Sequence, residues 1–124
     1  MEYINLYKTA AENNSFLKTL FTHRKVQVAV SNLKSGQESG EEVWPVDLTV
    51  LVLWGKAHFV VGGESRDVEA GGLICIPANS DYFFVNLGTE PLKLLMVFSG
   101  AVFKDGTDQG SKISEIMDPY KIRL

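Results

Sequence analysis

Residues 36–55, GQESGEEVWPVDLTVLVLWG, decide the fold of this chain. The stretch opens on a glycine turn, passes the carboxylates Glu41 and Glu42, and ends in an apolar, β-rich run closed by Gly55. Residues 71–86, GGLICIPANSDYFFVN, repeat the design with a glycine turn, a short apolar strand, a proline turn and an aromatic strand. Working outward, residues 25–33 (KVQVAVSNL) alternate, with Val26, Val28 and Val30 on one face and Gln27, Ala29 and Ser31 on the other. Further strands are expected at 47–54, 57–61, 64–69, 73–76, 82–87 and 92–98, with Gly62-Gly63 as a two-residue hairpin turn. Turn residues recur at the roughly 8–12-residue spacing of an all-β sandwich or barrel, and no long amphipathic helix lies between the strands.

The ends of the chain read differently. Residues 1–14 suggest a short helix or an irregular lead-in that stops at Asn13-Asn14, and Ile113, Ile116 and Met117 carry a weak helical pattern in the tail. The expectation is one domain over residues 1–124, with a barrel core over roughly 16–99.

Composition narrows the function classes. The 124 residues are 45% hydrophobic and 22% charged, as in an ordinary globular domain large enough for one core. A net charge of −3 without a basic run excludes an electrostatic footprint for nucleic acid. No apolar run approaches the ~20 residues needed to span a bilayer, and MEYINLYKTA lacks the pattern of a secretory leader. The single cysteine, Cys75, rules out an internal disulfide framework and reads as a small buried hydrophobe. A cytoplasmic protein is expected.

One pattern asks for a cover. In residues 47–54, Leu48, Val50, Val52 and Trp54 share one face while Thr49, Leu51 and Leu53 share the other, so both faces are apolar. Antiparallel strands usually show water one face. The second face is covered either by the chain's own termini or by a second copy, and a homodimer with Leu51 and Leu53 at its centre is the expectation.

The two glycine-bounded stretches resemble the paired motifs of the cupin superfamily. Counted from Gly36, the ligand positions of the first motif fall on Glu42, Trp44 and Leu48, and its closing glycine is Gly55. In the second motif, Gly71 and Pro77 keep their places, Asn79 replaces a glycine, Tyr82 replaces the histidine, and Asn86 closes. The flanking segments NSFLKTLFTHRKVQVAV, EPLKLLMVFS and KDGT are similar to those of small single-domain cupins. The resemblance implies a double-stranded β-helix, a jelly-roll barrel, with short terminal helical segments. It implies no single activity, because this fold hosts isomerases, dioxygenases, epimerases, sugar-binding domains and storage proteins.

The departures bear on the chemistry. A cupin metal site needs several converging nitrogen and oxygen donors. Here only Glu42 remains a donor of the family's kind, so no metal and no cofactor are expected. His23 and His58 fall outside the motif and read as exposed or structural. By the resemblance and by strand parity, Trp44, Leu48, Tyr82 and Phe84 point into the barrel beside Glu42. Either they fill it as core, or they line a smaller aromatic pocket.

Three functions follow. The first is a metal-free, non-catalytic cupin binding a small apolar or ring-bearing molecule through Glu42, Trp44, Leu48, Tyr82 and Phe84. The second is a metal-independent isomerase, epimerase or cyclase with Glu42 and Tyr82 as acid and base. The third is a structural or interaction module with a filled barrel.

Overall fold

The computed structural model describes residues 1–103 and the two-residue strand at 108–109. Its elements run α1 (Leu6–Glu12), β1 (Leu17–His23), β2 (Val26–Leu33), β3 (Glu42–Val43), β4 (Leu48–Trp54), β5 (Lys56–Val61), β6 (Glu64–Glu69), β7 (Leu73–Ile76), β8 (Asp81–Asn86), β9 (Leu92–Phe98) and β10 (Asp108–Gln109). They form two antiparallel sheets. The larger has the order β10-β1-β2-β9-β4-β7, the smaller β3-β8-β5-β6. The jumps between sequence neighbours are those of a jelly roll, and among the described residues one short helix accompanies ten strands, an all-β architecture. The helical pattern at Ile113, Ile116 and Met117 lies outside the described residues.

Alternation places the core between the sheets. From the large sheet, Ala29, Leu33, Leu48, Val50, Val52, Leu94, Met96 and Phe98 turn inward; Ala57, Phe59, Tyr82 and Phe84 meet them from the small one. On β2 the inward face is therefore the one carrying Gln27 and Ala29, while Val30 faces out. Gln27 is fully buried, and its amide is saturated. It donates to Thr22 Oγ1 (3.0 Å) and Phe103 O (3.1 Å), and accepts from the N–H groups of Val102 (2.9 Å) and Phe103 (3.0 Å). That exchange seats Val102 and Phe103 against the barrel.

The outer face of the large sheet is covered at one end by α1. Ala10 packs on Val30 and Leu53, flanked by Leu6, Leu20, Leu51 and Leu95. Two turns of helix are too short to persist alone. This one is fixed by that contact, by the Asn5 side chain accepting from the Lys8 N–H, and by Lys93, whose Nζ donates to Ala11 O (3.3 Å) and Asn13 O (2.6 Å). At this end, the N-terminal segment itself covers Leu53, one of the two residues expected at the centre of a dimer face.

Two glycine positions are dictated by geometry. Gly62 and Gly63 have φ of 55° and 86°, so the two-residue turn between β5 and β6 takes the left-handed backbone that suits a hairpin. Gly55 has φ of 97°, and a Cβ there would stand 3.1 Å from both Leu92 Cα and Pro91 O.

Two expectations are corrected. Trp54 does not share the inward face of Val52, because the register shifts between Val52 and Trp54. This bulge turns the indole outward, edge-on to Tyr7 with ring centroids 5.6 Å apart. Cys75 is exposed rather than buried, since it lies on β7, the edge strand of the large sheet, opposite the outward-facing Thr49.

Candidate functional site

The inward side chains of β3, β4 and β8 converge. Glu42 stands directly opposite Tyr82 in the antiparallel ladder, so the two project side by side from one face. Trp44, just past the end of β3, donates its Nε1–H to the Tyr82 hydroxyl oxygen at 2.9 Å. Leu48 on β4 lies opposite Ile76 and Phe98, and Phe98 in turn meets the Trp44 ring edge-on at 6.3 Å. Phe84 lies parallel to Tyr82 and stacks on Phe59 at 5.1 Å. Trp44, Leu48, Tyr82 and Phe84 thus belong to one buried cluster, each at most 5% exposed, and Glu42 stands opposite Tyr82.

Local structure holds Trp44 in place. Asn79 adopts φ of 67°, the left-handed conformation that asparagine tolerates better than most side chains, at the position where the family pattern has glycine. Its N–H donates to Trp44 O at 2.7 Å. Asp47 steadies the same turn by accepting from the Ala78 N–H at 2.8 Å. Asn86, the closing residue of the second motif, is buried and donates to Leu33 O and Glu90 O.

Electrostatics separates the two polar groups. Glu42 is half-buried, its carboxyl makes no side-chain hydrogen bond to Tyr82 or to any other described residue, and its pKa is raised by burial to about 7. Tyr82 is pushed above the usual phenol range by burial; the Trp44 hydrogen bond opposes the shift and the Glu42 charge adds to it. Near neutrality Tyr82 is therefore a protonated phenol, unable to serve as a base. Glu42 exchanges its proton in the working range, so any proton chemistry here rests on this carboxyl.

The donor set does not fit a transition metal. An indole N–H has no lone pair to give, Leu48 has no donor at all, and the Tyr82 oxygen is already a hydrogen-bond acceptor from Trp44. Among the described residues, no group of three or more His, Cys, Asp or Glu stands together. The histidines lie elsewhere. His58 Nδ1 pairs with Asp67 Oδ1 at 2.7 Å across β5 and β6, and His23 pairs with Glu2.

The sequence reading missed the seal on this cluster. Phe103 is buried and meets Trp44 at 5.8 Å and Phe98 at 5.3 Å. Nothing local marks it. Only the buried Gln27, 76 residues away, fixes where it docks.

Two antiparallel sheets with inward-facing motif residues define a small jelly-roll barrel whose ligand positions carry Trp44, Leu48 and Tyr82 beside the one carboxyl of Glu42. The family model for the cupin domain matches residues 29–98, and the chain belongs to the cupin family. It is similar to the uncharacterized protein YrkC of Bacillus subtilis, 27% identical over 120 residues, covering 91% of this chain and 64% of YrkC. The chain thus spans just under two thirds of that relative's length. It is also similar to the uncharacterized protein SCO3923 of Streptomyces coelicolor, 29% identical over 90 residues, covering 73% of this chain and 84% of the other. Among solved structures, BH2720 from Bacillus halodurans superposes with a TM-score of 0.85 at 24% identity, over 90% of this chain and 89% of that one. This last likeness bears on the fold. No helix among the described residues is long and apolar enough to cross a membrane.

Proposed function

We propose that this cupin binds a small, uncharged, ring-bearing molecule at the Glu42 side of its barrel, without a metal and without converting it. The observation carrying this reading is the cross-strand pairing of Glu42 with Tyr82 beside the Trp44 indole. A half-buried carboxyl without a described partner is a directional handle in an otherwise apolar setting. With its pKa raised to about 7, it can donate a hydrogen bond to a ligand carbonyl or ether when protonated. Tyr82, Trp44 and Phe84 would supply the ring faces, and Leu48 the aliphatic floor.

The test is a titration of the purified protein with uncharged aromatic and heterocyclic compounds, followed by the Trp44 indole N–H resonance. A binder should shift that resonance, bind more tightly at pH 5.5 than at pH 8.5, and lose that pH dependence in Glu42→Gln. Binding that survives Glu42→Ala unchanged would show that the carboxyl takes no part.

A filled barrel is the second reading, favoured by the near-complete burial of Trp44, Tyr82 and Phe84 and by Phe103 closing on Trp44. It predicts no shift at Trp44 with any compound.

A further inference from the structure

A cleft lies on the outside of the large sheet, where α1 ends. It holds about 480 Å³ and is lined, among the described residues, by Ala11, Trp54, Gly55, Glu90, Pro91 and Lys93. Its walls are mainly apolar. The bulge at the end of β4 turns the Trp54 ring into this region, and Tyr7 supports that ring edge-on.

Lys93 is the unusual member. It is 8% exposed, yet no carboxylate among the described residues pairs with it. An ammonium has three donors. Two are used by Ala11 O and Asn13 O at the end of α1, and the third has no partner among the described residues. The helix-end carbonyls offset part of the charge. A buried cation with a spare donor, lining an open cleft, is still an arrangement that an anion would complete.

We propose that this cleft is a binding site for a small monocarboxylate with a flat apolar body, its carboxylate on Lys93 and its ring against Trp54 and Pro91. The carboxylate would take the spare N–H as a charge-assisted hydrogen bond, which is stronger than a neutral one. The ring would cover the apolar wall that the indole and proline leave open. Glu90, exposed and without an ion-pair partner among the described residues, sets the limit on charge. Its carboxylate disfavours a second negative group on the ligand. Burial lowers the pKa of Lys93, and a bound carboxylate would raise it again. The site is separate from the barrel interior, since Lys93 and Trp54 project from the opposite side of the large sheet to Leu94 and Val52.

The experiment uses phenylacetate as probe and benzyl alcohol as its uncharged counterpart, followed by the two indole N–H resonances. Phenylacetate should saturate, shift the Trp54 resonance and leave that of Trp44 in place. Benzyl alcohol should bind at least about tenfold more weakly. Measured by titration calorimetry, which needs no reporter ring, Trp54→Ala should weaken phenylacetate by about tenfold, and Glu90→Gln should tighten it by removing a repulsive charge. Both variants alter exposed or partly exposed side chains, so both should fold. No saturation up to about 10 mM, equal binding of the alcohol, or an affinity indifferent to Trp54→Ala overturns the proposal. A shift confined to Trp44 also overturns it, and would instead support the barrel interior as the ligand site.

Discussion

The two tryptophans of this chain sit on opposite sides of one sheet and live in contrasting surroundings. Trp44 is buried, hydrogen-bonded to Tyr82 and enclosed by Phe98 and Phe103. Trp54 is 37% exposed, with one ring contact to Tyr7 and an open cleft beside it. Each has a charged residue nearby with a displaced pKa: Glu42 is raised toward neutrality inside, and Lys93 is lowered outside. The interior has exchanged donors for rings and tolerates its acid by letting it take a proton. The outer cleft keeps its cation by giving it helix carbonyls. Inside the barrel, aromatic packing thus occupies the positions at which the family's motif places metal donors.

The largest effect should come from reversing that exchange. Trp44→His, Leu48→Gln and Tyr82→His together would surround Glu42 with two imidazoles and an amide, a set suited to Mn²⁺, Fe²⁺, Ni²⁺ or Zn²⁺. Losing a Trp-sized core side chain costs about 3–5 kcal/mol, so the triple variant should melt far below wild type in chelator. Zn²⁺ at a hundredfold excess over Kd should restore about 2.7 kcal/mol, and the same addition should leave wild type unmoved. A folded triple variant indifferent to metal would mean that the four side chains do not converge.

On the outer side, Gly55→Ala should destabilise by about 1–3 kcal/mol, because a positive φ and two backbone neighbours at 3.1 Å leave no room for a Cβ. Chemical denaturation measures this. A neutral result would remove the close approach of the β4 end to Pro91 that shapes the cleft.

The smallest effect concerns Glu42. Its native pKa lies above the ordinary 4.5, so the folded state holds the proton more tightly than the unfolded one. The associated stability is fully present below about 4.5 and is lost as pH rises through about 7. Glu42→Gln should abolish that slope and be the more stable protein at pH 8.5, by on the order of 1 kcal/mol once solvent screening is allowed for. Parallel melting-temperature profiles across pH for the two proteins would show the carboxyl to be ordinary.

Local periodicity carried much of the fold. The strands at 64–69, 73–76 and 92–98 and the Gly62-Gly63 hairpin could be read from alternation and turn residues alone, because each depends on near neighbours. Motif spacing likewise set Glu42 opposite Tyr82, and Leu48 opposite the Phe98 that meets the Trp44 ring. What stayed hidden depends on distant contacts or broken periods. β1 carries a register shift between Thr19 and Phe21 that interrupts its alternation, and a similar shift sent Trp54 to the other face. Cys75 looked like core because nothing in LICI marks an edge strand. Lys93 is marked in the sequence only as the one charged residue of LKLLMVF. Its partners, Ala11 O and Asn13 O, lie 82 and 80 residues away.

The saturated amide of Gln27 has a consequence in time as well as in space. Its bonds to Val102 and Phe103 join segments 75 and 76 residues apart, and such contacts form only after a long loop has closed. If this seam is absent from the folding transition state, Gln27→Leu should speed unfolding while leaving the folding rate nearly untouched, a pattern that the two limbs of a chevron plot separate. A slowed folding limb would instead put the seam in the nucleus. A late-forming seam is also among the first to open. Solvent would then reach the Trp44 ring at the frequency with which residues 102–103 detach, long before the strands themselves part.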